Sequence, residues 1–414
     1  MQKPDDSHPT VAGPEQPLPK PEPGEAALVR PAPDPMPDLN PKSSEAAMDA
    51  PRPYHRIAVL GGGAWGTALA SVAARAGREV RLWLRDAALA DEINARHRNE
   101  RYLPGIDLPA RIAATTDMAA ALSGAEAVLL VTPSTTIRGM AEQIAGLSPR
   151  GVPVFVCAKG IEKGSGLLMS DVAAEMAPER PIGTVTGPTF ATETAAGHPT
   201  AVTVACTSDA HIPPAKRAAA RMALSLTTDS FRPYVSDDMP GVEVGGAVKN
   251  VIAIACGILA GAGFGENSRA ALITRGLDEM KELAVRLGGR RETVTGLGGL
   301  GDLMLTCSSK QSRNFSYGFQ RGQGLGDAEV FEGRPVVVEG RHNAVTVTDL
   351  ARRLNLHMPI CEMVRAITAE DAVIGEAFAA YWAAPIRAER RGLELEFAHP
   401  AVEAVTRRFE DMTG

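Results

Sequence analysis

Lys249 is the residue with the clearest chemical potential in this chain. It lies within residues 244–262, a run expected to form an almost wholly apolar helix with Lys249 and Asn250 as its only strongly polar side chains. A lysine among apolar groups loses hydration, which disfavours its charged form. Its amine then titrates nearer neutrality and can give or take a proton. The competing reading is a lysine that lays its stem along the surface and keeps its head in water. Other polar groups could join it. Lys159 follows the apolar run 152–158, and Asp302 emerges from the glycine-dense stretch Gly296-Leu297-Gly298-Gly299-Leu300-Gly301. Gln311-Ser312-Arg313-Asn314 sets a guanidinium beside hydrogen-bonding side chains, a grouping suited to bidentate phosphate binding. Asp302 could equally be a plain helix cap, and the Arg313 group a polar loop.

These groups need elements to hold them. Residues 56–60 read as a short β-branched strand, Gly61-Gly62-Gly63-Ala64-Trp65-Gly66-Thr67 as a turn, and residues 68–75 as a helix. Gly61, Gly63 and Gly66 occupy the G-x-G-x-x-G positions, where a tight turn and a helix amino end favour a dinucleotide pyrophosphate. A packing turn, or a site for another nucleotide, would use the same glycines. A second strand over 79–85 ends at Arg85 and Asp86, where the adenosine ribose would be met. The alternation Arg81, Trp83, Arg85 puts Arg85 and Asp86 on opposite faces. Further strands are expected over 125–132, 152–158 and 181–185, each running into small, polar or cationic residues. Those ends are Pro133-Ser134, Lys159-Gly160 and Thr186-Gly187-Pro188-Thr189-Phe190. Ligands of open α/β sheets sit at such carboxyl ends.

After Val244 the pattern turns helical. A turn at 263–267 precedes a helix from Arg269, Val336-Val337-Val338-Glu339 leads into another, and Met358-Pro359-Ile360 begins a third. The expected fold is α/β: a Rossmann-type amino-terminal domain followed by an all-α carboxy-terminal domain. The expected divisions are a disordered proline-rich leader at 1–53, a nucleotide-binding domain at 54–240, a helical substrate domain at 241–386, and a tail of unassigned role at 387–414. Met48, just ahead of the first strand, is an alternative start.

Composition narrows the class. The 414 residues are 44% hydrophobic and 22% charged, ordinary for a globular protein large enough for two domains. A net charge of -6 with a pI near 5.8 argues against nucleic-acid binding. The cysteines, Cys157, Cys206, Cys256, Cys307 and Cys361, show no Cys-x-x-Cys spacing, which suits a reducing compartment and carries no metal signature. No run reaches the roughly 18 apolar residues of a membrane span, and the first residues lack the apolar segment of a signal peptide. A cytoplasmic protein without a metal is expected.

Taken together, the motifs resemble NAD(P)-dependent glycerol-3-phosphate dehydrogenase of the bacterial type, from about Arg56 to about Ile374. The most specific strings are Gly245-Gly246-Ala247-Val248-Lys249-Asn250, Arg269-Ala270-Ala271-Leu272-Ile273-Thr274-Arg275-Gly276, Gly298-Gly299-Leu300-Gly301-Asp302-Leu303 and Gln311-Ser312-Arg313-Asn314. Thr186-Gly187-Pro188-Thr189-Phe190-Ala191 and Ala158-Lys159-Gly160 add to them. The resemblance implies interconversion of dihydroxyacetone phosphate and sn-glycerol 3-phosphate with NADP or NAD, a supply of glycerol 3-phosphate for phospholipid synthesis, and a homodimer. It implies Lys249 as proton donor and acceptor, with Lys159 and Asp302 also catalytic. Substrate contacts would come from Lys159, Gly187, Thr189, Lys249, Asn250, Asp302, Ser312, Arg313 and Asn314. Besides the glycines, cofactor contacts would come from Ala64, Trp65, Arg85, Lys159, Ala191, Arg313, Val337 and Glu339. The chain departs from the family at Ile137, where phenylalanine is frequent, and the leader and the end of the chain lie outside the resemblance. The rivals are a β-hydroxyacid or 6-phosphogluconate-type dehydrogenase, and a dinucleotide-binding regulator without turnover.

Overall fold

The first strand is apolar at every position but its first, because helices cover both faces of the sheet it enters. Ile57 and Val59 feed one core layer, while Ala58 and Leu60 feed the layer on the opposite face. The computed structural model describes residues 50–207, 217–387 and 396–410. The expected leader, through residue 49, and part of the expected tail lie outside these described residues. The described residues of the expected leader make contacts with the nucleotide-binding half. Arg52 lends its carbonyl to Arg221 Nε at 2.9 Å, and Tyr54, buried under the Arg221 guanidinium, donates its backbone N–H to Ser225 Oγ at 2.7 Å.

Strands and helices alternate through the first half. They are β1 (Arg56–Leu60), α1 (Ala64–Arg75), β2 (Glu79–Trp83), α2 (Ala87–Arg96), β3 (Ile112–Thr115), α3 (Met118–Leu122), β4 (Ala127–Leu130) and α4 (Ile137–Leu147). There follow β5 (Val154–Val156), α5 (Met169–Met176), β6 (Ile182–Thr186), α6 (Ala191–Ala196), β7 (Thr200–Cys206), α7 (Ala218–Leu226) and β8 (Phe231–Ser236). The sheet order is β3-β2-β1-β4-β5-β6-β7-β8. Strands β1 to β6 are parallel, and β7 with β8 runs opposite to them. The order reverses between β1 and β4, the point at which such sheets take a ligand. Neither β7 nor β8 was anticipated from the sequence. Strand β2 is two residues shorter than expected: the chain leaves it after Trp83 and enters α2, whose first turn Asp86 caps through Leu89 N at 3.2 Å.

The second half is built around α8 (Met239–Gly261), flanked by α9 (Glu266–Arg286), α10 (Arg291–Val294), α11 (Asp302–Ser308), α12 (Arg313–Gly322), α13 (Glu339–Arg353) and α14 (Pro359–Ala369). Helix α8 begins earlier than expected because Asp238 caps it through Gly241 N at 3.0 Å, with Pro240 in the first turn. It therefore contains a third strongly polar side chain, the buried Glu243, which the 244–262 reading left out. By length and composition alone α8 could cross a membrane, yet 89% of its most apolar stretch is buried within the protein. It is the axis of the helical core. Helix α9 likewise starts at Glu266, ahead of the expected Arg269.

Glycines decide how closely α12 approaches α8. A Cβ on Gly257 or Gly261 would lie 2.2 or 2.0 Å from the carbonyl oxygen of Phe315 or Phe319, and one on Gly318 or Gly322 would lie 2.1 Å from that of Ile254 or Ile258. Any larger residue would force the helices apart. At the other end of the core, Glu279 accepts hydrogen bonds from Ile360 N and Cys361 N at 2.7 and 3.2 Å, capping α14 from α9. The expected tail is in part structured. After α15 (Ile374–Trp382) come the short paired strands β9 (Ile386–Arg387) and β10 (Glu396–Phe397), then α16 (Val402–Glu410). Phe409 of α16 is buried and stacks on Phe264 and Phe378, with ring centroids 5.2 and 6.1 Å away.

Candidate active site

At the head of β1 the three glycines do different work. Gly61 has φ +124°, and a Cβ there would stand 2.6 Å from Val131 O; one on Gly66 would stand 1.8 Å from Gly61 O. These two allow the turn and the close packing of α1 on the strand. A Cβ on Gly63 would meet nothing within 4 Å, and no side chain caps α1. Open space and uncapped N–H groups together fit the pyrophosphate of a dinucleotide. Ala64 and Trp65 are half-buried beside this opening. Asn99, which the sequence reading missed, holds the turn from behind. Fully buried, it donates to Gly62 O at 3.1 Å and Thr67 Oγ1 at 2.8 Å. Arg85 is exposed beyond β2, whereas the Asp86 carboxylate is engaged by Leu89 N and, at 3.0 Å, by Arg101.

The two lysines meet one carboxylate. Lys159, from the loop after β5, places Nζ 2.6 Å from Asp302 Oδ2; Lys249, from α8, places Nζ 2.6 Å from Asp302 Oδ1. Asp302 does not cap α11 with its side chain, which is only 1% exposed; both its oxygens go to lysines. Lys249 also donates to Thr306 Oγ1 at 2.8 Å, and Thr306 donates in turn to Asp302 O at 2.6 Å. Thr306 lies one turn after Asp302 on α11, and that spacing was the signal that could have revealed it.

The shared carboxylate leaves the lysines unequal. Burial pushes the Lys249 amine down to about 8, aided by the Lys159 charge and opposed by Asp302. Burial also works against Lys159, but Asp302 outweighs it and holds that amine above its ordinary range. One lysine is thus poised to exchange a proton near neutrality while its neighbour stays charged.

A second polar group lies beside the first. Asn250 Nδ2 donates to Glu339 Oε2 at 3.3 Å, and Asn314 Nδ2 donates to Asn250 Oδ1 at 2.9 Å. Gly340 N closes the ring on Asn314 Oδ1 at 2.8 Å. The glycine seam between α8 and α12 makes this ring possible. Within it Asn314 uses its oxygen and one Nδ2 hydrogen, which leaves the second amide hydrogen for the phosphate contact expected of it. Ser312 caps α12 through Phe315 N at 3.3 Å, and its hydroxyl hydrogen remains able to donate. Arg313 is exposed and makes no ion pair among the described residues. Gly187 is buried, Thr189 donates to its carbonyl at 3.3 Å, and Ala191 opens α6. Val337 is 68% exposed.

The family model for the NAD-dependent glycerol-3-phosphate dehydrogenase N-terminus matches residues 56–212, and that for the C-terminus of the same enzymes matches residues 238–379. The chain belongs to this family. Glycerol-3-phosphate dehydrogenase [NAD(P)+] of Rhodospirillum rubrum is 48% identical over 350 residues, covering 84% of this chain and 98% of the relative. The enzyme of the same name from Methylobacterium radiotolerans is 49% identical over 334 residues, covering 80% and 98%. The crystal structure of glycerol-3-phosphate dehydrogenase from Coxiella burnetii superposes with a TM-score of 0.72 at 40% identity, covering 78% of this chain and 97% of that one. For the yeast Saccharomyces cerevisiae enzyme the values are 0.69, 26%, 80% and 99%. As a family member the chain is an NAD(P)-dependent oxidoreductase with a Rossmann-type nucleotide domain and a helical second domain.

Proposed function

We propose that this protein reduces dihydroxyacetone phosphate to sn-glycerol 3-phosphate, and catalyses the reverse, with Lys249 exchanging the proton. The observation that carries the reading is the pair of lysines sharing Asp302 at 2.6 Å each. The bound nicotinamide supplies the hydride. As negative charge develops on the ketone oxygen, Lys249 protonates it, and the Lys159 ammonium stabilises it from the other side of Asp302. Asp302 keeps both amines aimed at one point, and Thr306 fixes the Lys249 rotamer. Asn250, held by Asn314 and Glu339, presents a rigid amide beside the lysines. Gly187, Thr189 and Ser312 complete the substrate wall, with Arg313 as the phosphate grip. Gly61, Gly63, Ala64, Trp65, Gly66, Ala191, Val337 and Glu339 serve the cofactor.

Oxidation of NADPH and of NADH by the purified protein, with dihydroxyacetone phosphate as acceptor, tests the reading. Cofactor binding without oxidation, or faster turnover of 3-hydroxy acids, would overturn it. The reading extends to a cytoplasmic homodimer that feeds phospholipid synthesis, and light scattering reads the stoichiometry.

Arg313→Ala is expected to raise KM for dihydroxyacetone phosphate and to lower kcat as well, because binding energy from the phosphate positions the reacting carbon. Unphosphorylated dihydroxyacetone, turned over slowly by both enzymes, should lose far less. Equal losses on the two substrates would assign Arg313 to the cofactor or the fold.

NADPH is expected to be preferred over NADH, with Arg85 meeting the 2′-phosphate. The engagement of Asp86 in capping α2 supports this, because that carboxylate is already bound to Leu89 N and Arg101. One charge-assisted hydrogen bond contributes about 1.5–3 kcal/mol, roughly ten- to a hundredfold in affinity. Arg85→Ala should erase most of the preference by weakening NADPH alone. A wild-type enzyme that favours NADH in steady-state assays would sink this assignment.

A further inference from the structure

Helix α8 carries Glu243, Gly246 and Lys249 at three-residue intervals, so Gly246 neighbours each of the other two on the helix surface. Lys159 lies across the middle position: a Cβ on Gly246 would stand 3.0 Å from Lys159 Cγ. From there its amine reaches Asp302 beside Lys249. Glu243 and Lys159 line the same small cavity, walled also by Thr184 and Thr186. The proposed reaction gives Glu243 no direct part, yet it is a buried carboxyl, and burial pushes it up to about 7. Such a group is costly unless hydrogen bonds hold it.

Its bonds point to a purpose. Glu243 Oε1 accepts from Ser170 N at 3.0 Å, and Oε2 accepts from the Ser170 hydroxyl. Ser170 stands in the first turn of α5, a helix that no residue of its own caps. The loop 157–168 between β5 and α5 is the one that bears Lys159, and Ile161 bridges to Leu168 across it. Glu243 therefore ties the far end of this loop to the helix that bears Lys249.

We propose that Glu243 is a positioning residue acting through Lys159: by holding Ser170 it fixes the Lys159 loop against α8 and sets how the two lysines share Asp302. The inference rests on Lys159 acting in the proposed reaction. A misplacement of about 1 Å near a reacting centre can cost about a hundredfold in rate.

The test is a double-mutant cycle in kcat on the full-length enzyme, with NADPH affinity and Tm measured alongside. Glu243→Ala should lower kcat roughly tenfold or more with NADPH affinity unchanged, and Glu243→Gln, which keeps an acceptor for Ser170 N, should restore most of the loss. In a Lys159→Ala background the same Glu243→Ala change should cost less than about threefold, because coupled residues are not additive. Equal fold-losses in both backgrounds, or a lowered Tm with kcat intact, would overturn the proposal while leaving Lys159 in place. A Lys159→Ala enzyme with wild-type kcat would overturn the role of Lys159 itself, and this inference with it. Should Glu243→Ala fail to fold, Ser170→Ala removes the hydroxyl donor alone and carries the same cycle, with a smaller loss expected in the same direction.

Discussion

Lys249→Ala is expected to lower kcat by about 10²–10⁴-fold, the range for loss of a positioned acid–base group, or about 3–5 kcal/mol of barrier. The substitution should leave the fold intact, since Asp302 keeps Lys159 as a partner at 2.6 Å. Cofactor affinity should change little, because the glycine turn and Arg85 lie on the nucleotide-binding half. The pH profile gives an independent sign. Burial holds the Lys249 ammonium at about 8. Ketone reduction needs that ammonium, so kcat should be flat below this pH and fall by about tenfold per unit above it. Alcohol oxidation needs the neutral amine, so its limb should rise through the same pH. Initial rates in both directions, across pH 6 to 10 (roughly two units either side), read both. Near-normal turnover in the variant would leave Lys249 as a packing residue.

Asp302→Asn is expected to damage both activity and stability. The wild-type carboxylate accepts one lysine on each oxygen and is 1% exposed. An amide of the same shape has one acceptor oxygen and no charge, so the two ammonium groups would face each other without a counter-ion. Breaking a buried ion pair in this way costs about 3–5 kcal/mol of stability, and the cost shrinks if one amine gives up its proton. Lys249, already lowered by burial, is the amine that yields. The reduction limb should therefore move to the acid side of 8, and kcat at pH 7 should drop by about a hundredfold. Thermal denaturation and the pH–rate profile measure the two effects separately. An unshifted profile would show that Asp302 does not set the charge on Lys249.

Much of this was written locally in the chain. The run Ile57 to Leu60, followed by glycines at 61, 63 and 66, specified a strand, a turn and a helix amino end because each depends only on neighbouring residues. The apolar helix around Lys249 was legible for the same reason, and the family strings named Lys159 and Asp302, which the structure brings together with it. Elements without a strong local signature were not legible. Strands β7 and β8, with mixed burial along their length, are defined by their pairing with β6 and with each other. The last helix has no strong local signature either, and its place is set by Phe409 packing on Phe264 and Phe378.

Within the site the division is sharper. Sequence determined which residues could do chemistry, because a lysine in an apolar helix and a cation at a strand end are properties of short segments. It left open whether Asp302 was a helix cap, and it passed over Thr306, Asn99 and Glu243. Only the tertiary structure decided these, since Asp302 meets Lys159 and Lys249 across a junction of three separate segments. Glycines 257, 261, 318 and 322 were plain in the sequence, but their meaning depends on which helix faces which. Two helix backbones can approach so closely only where neither carries a Cβ, and that approach brings Asn314 to Asn250 beside the lysines. Local propensity sets each element, whereas desolvation and charge sharing at Lys249 arise from the groups that packing brings around it.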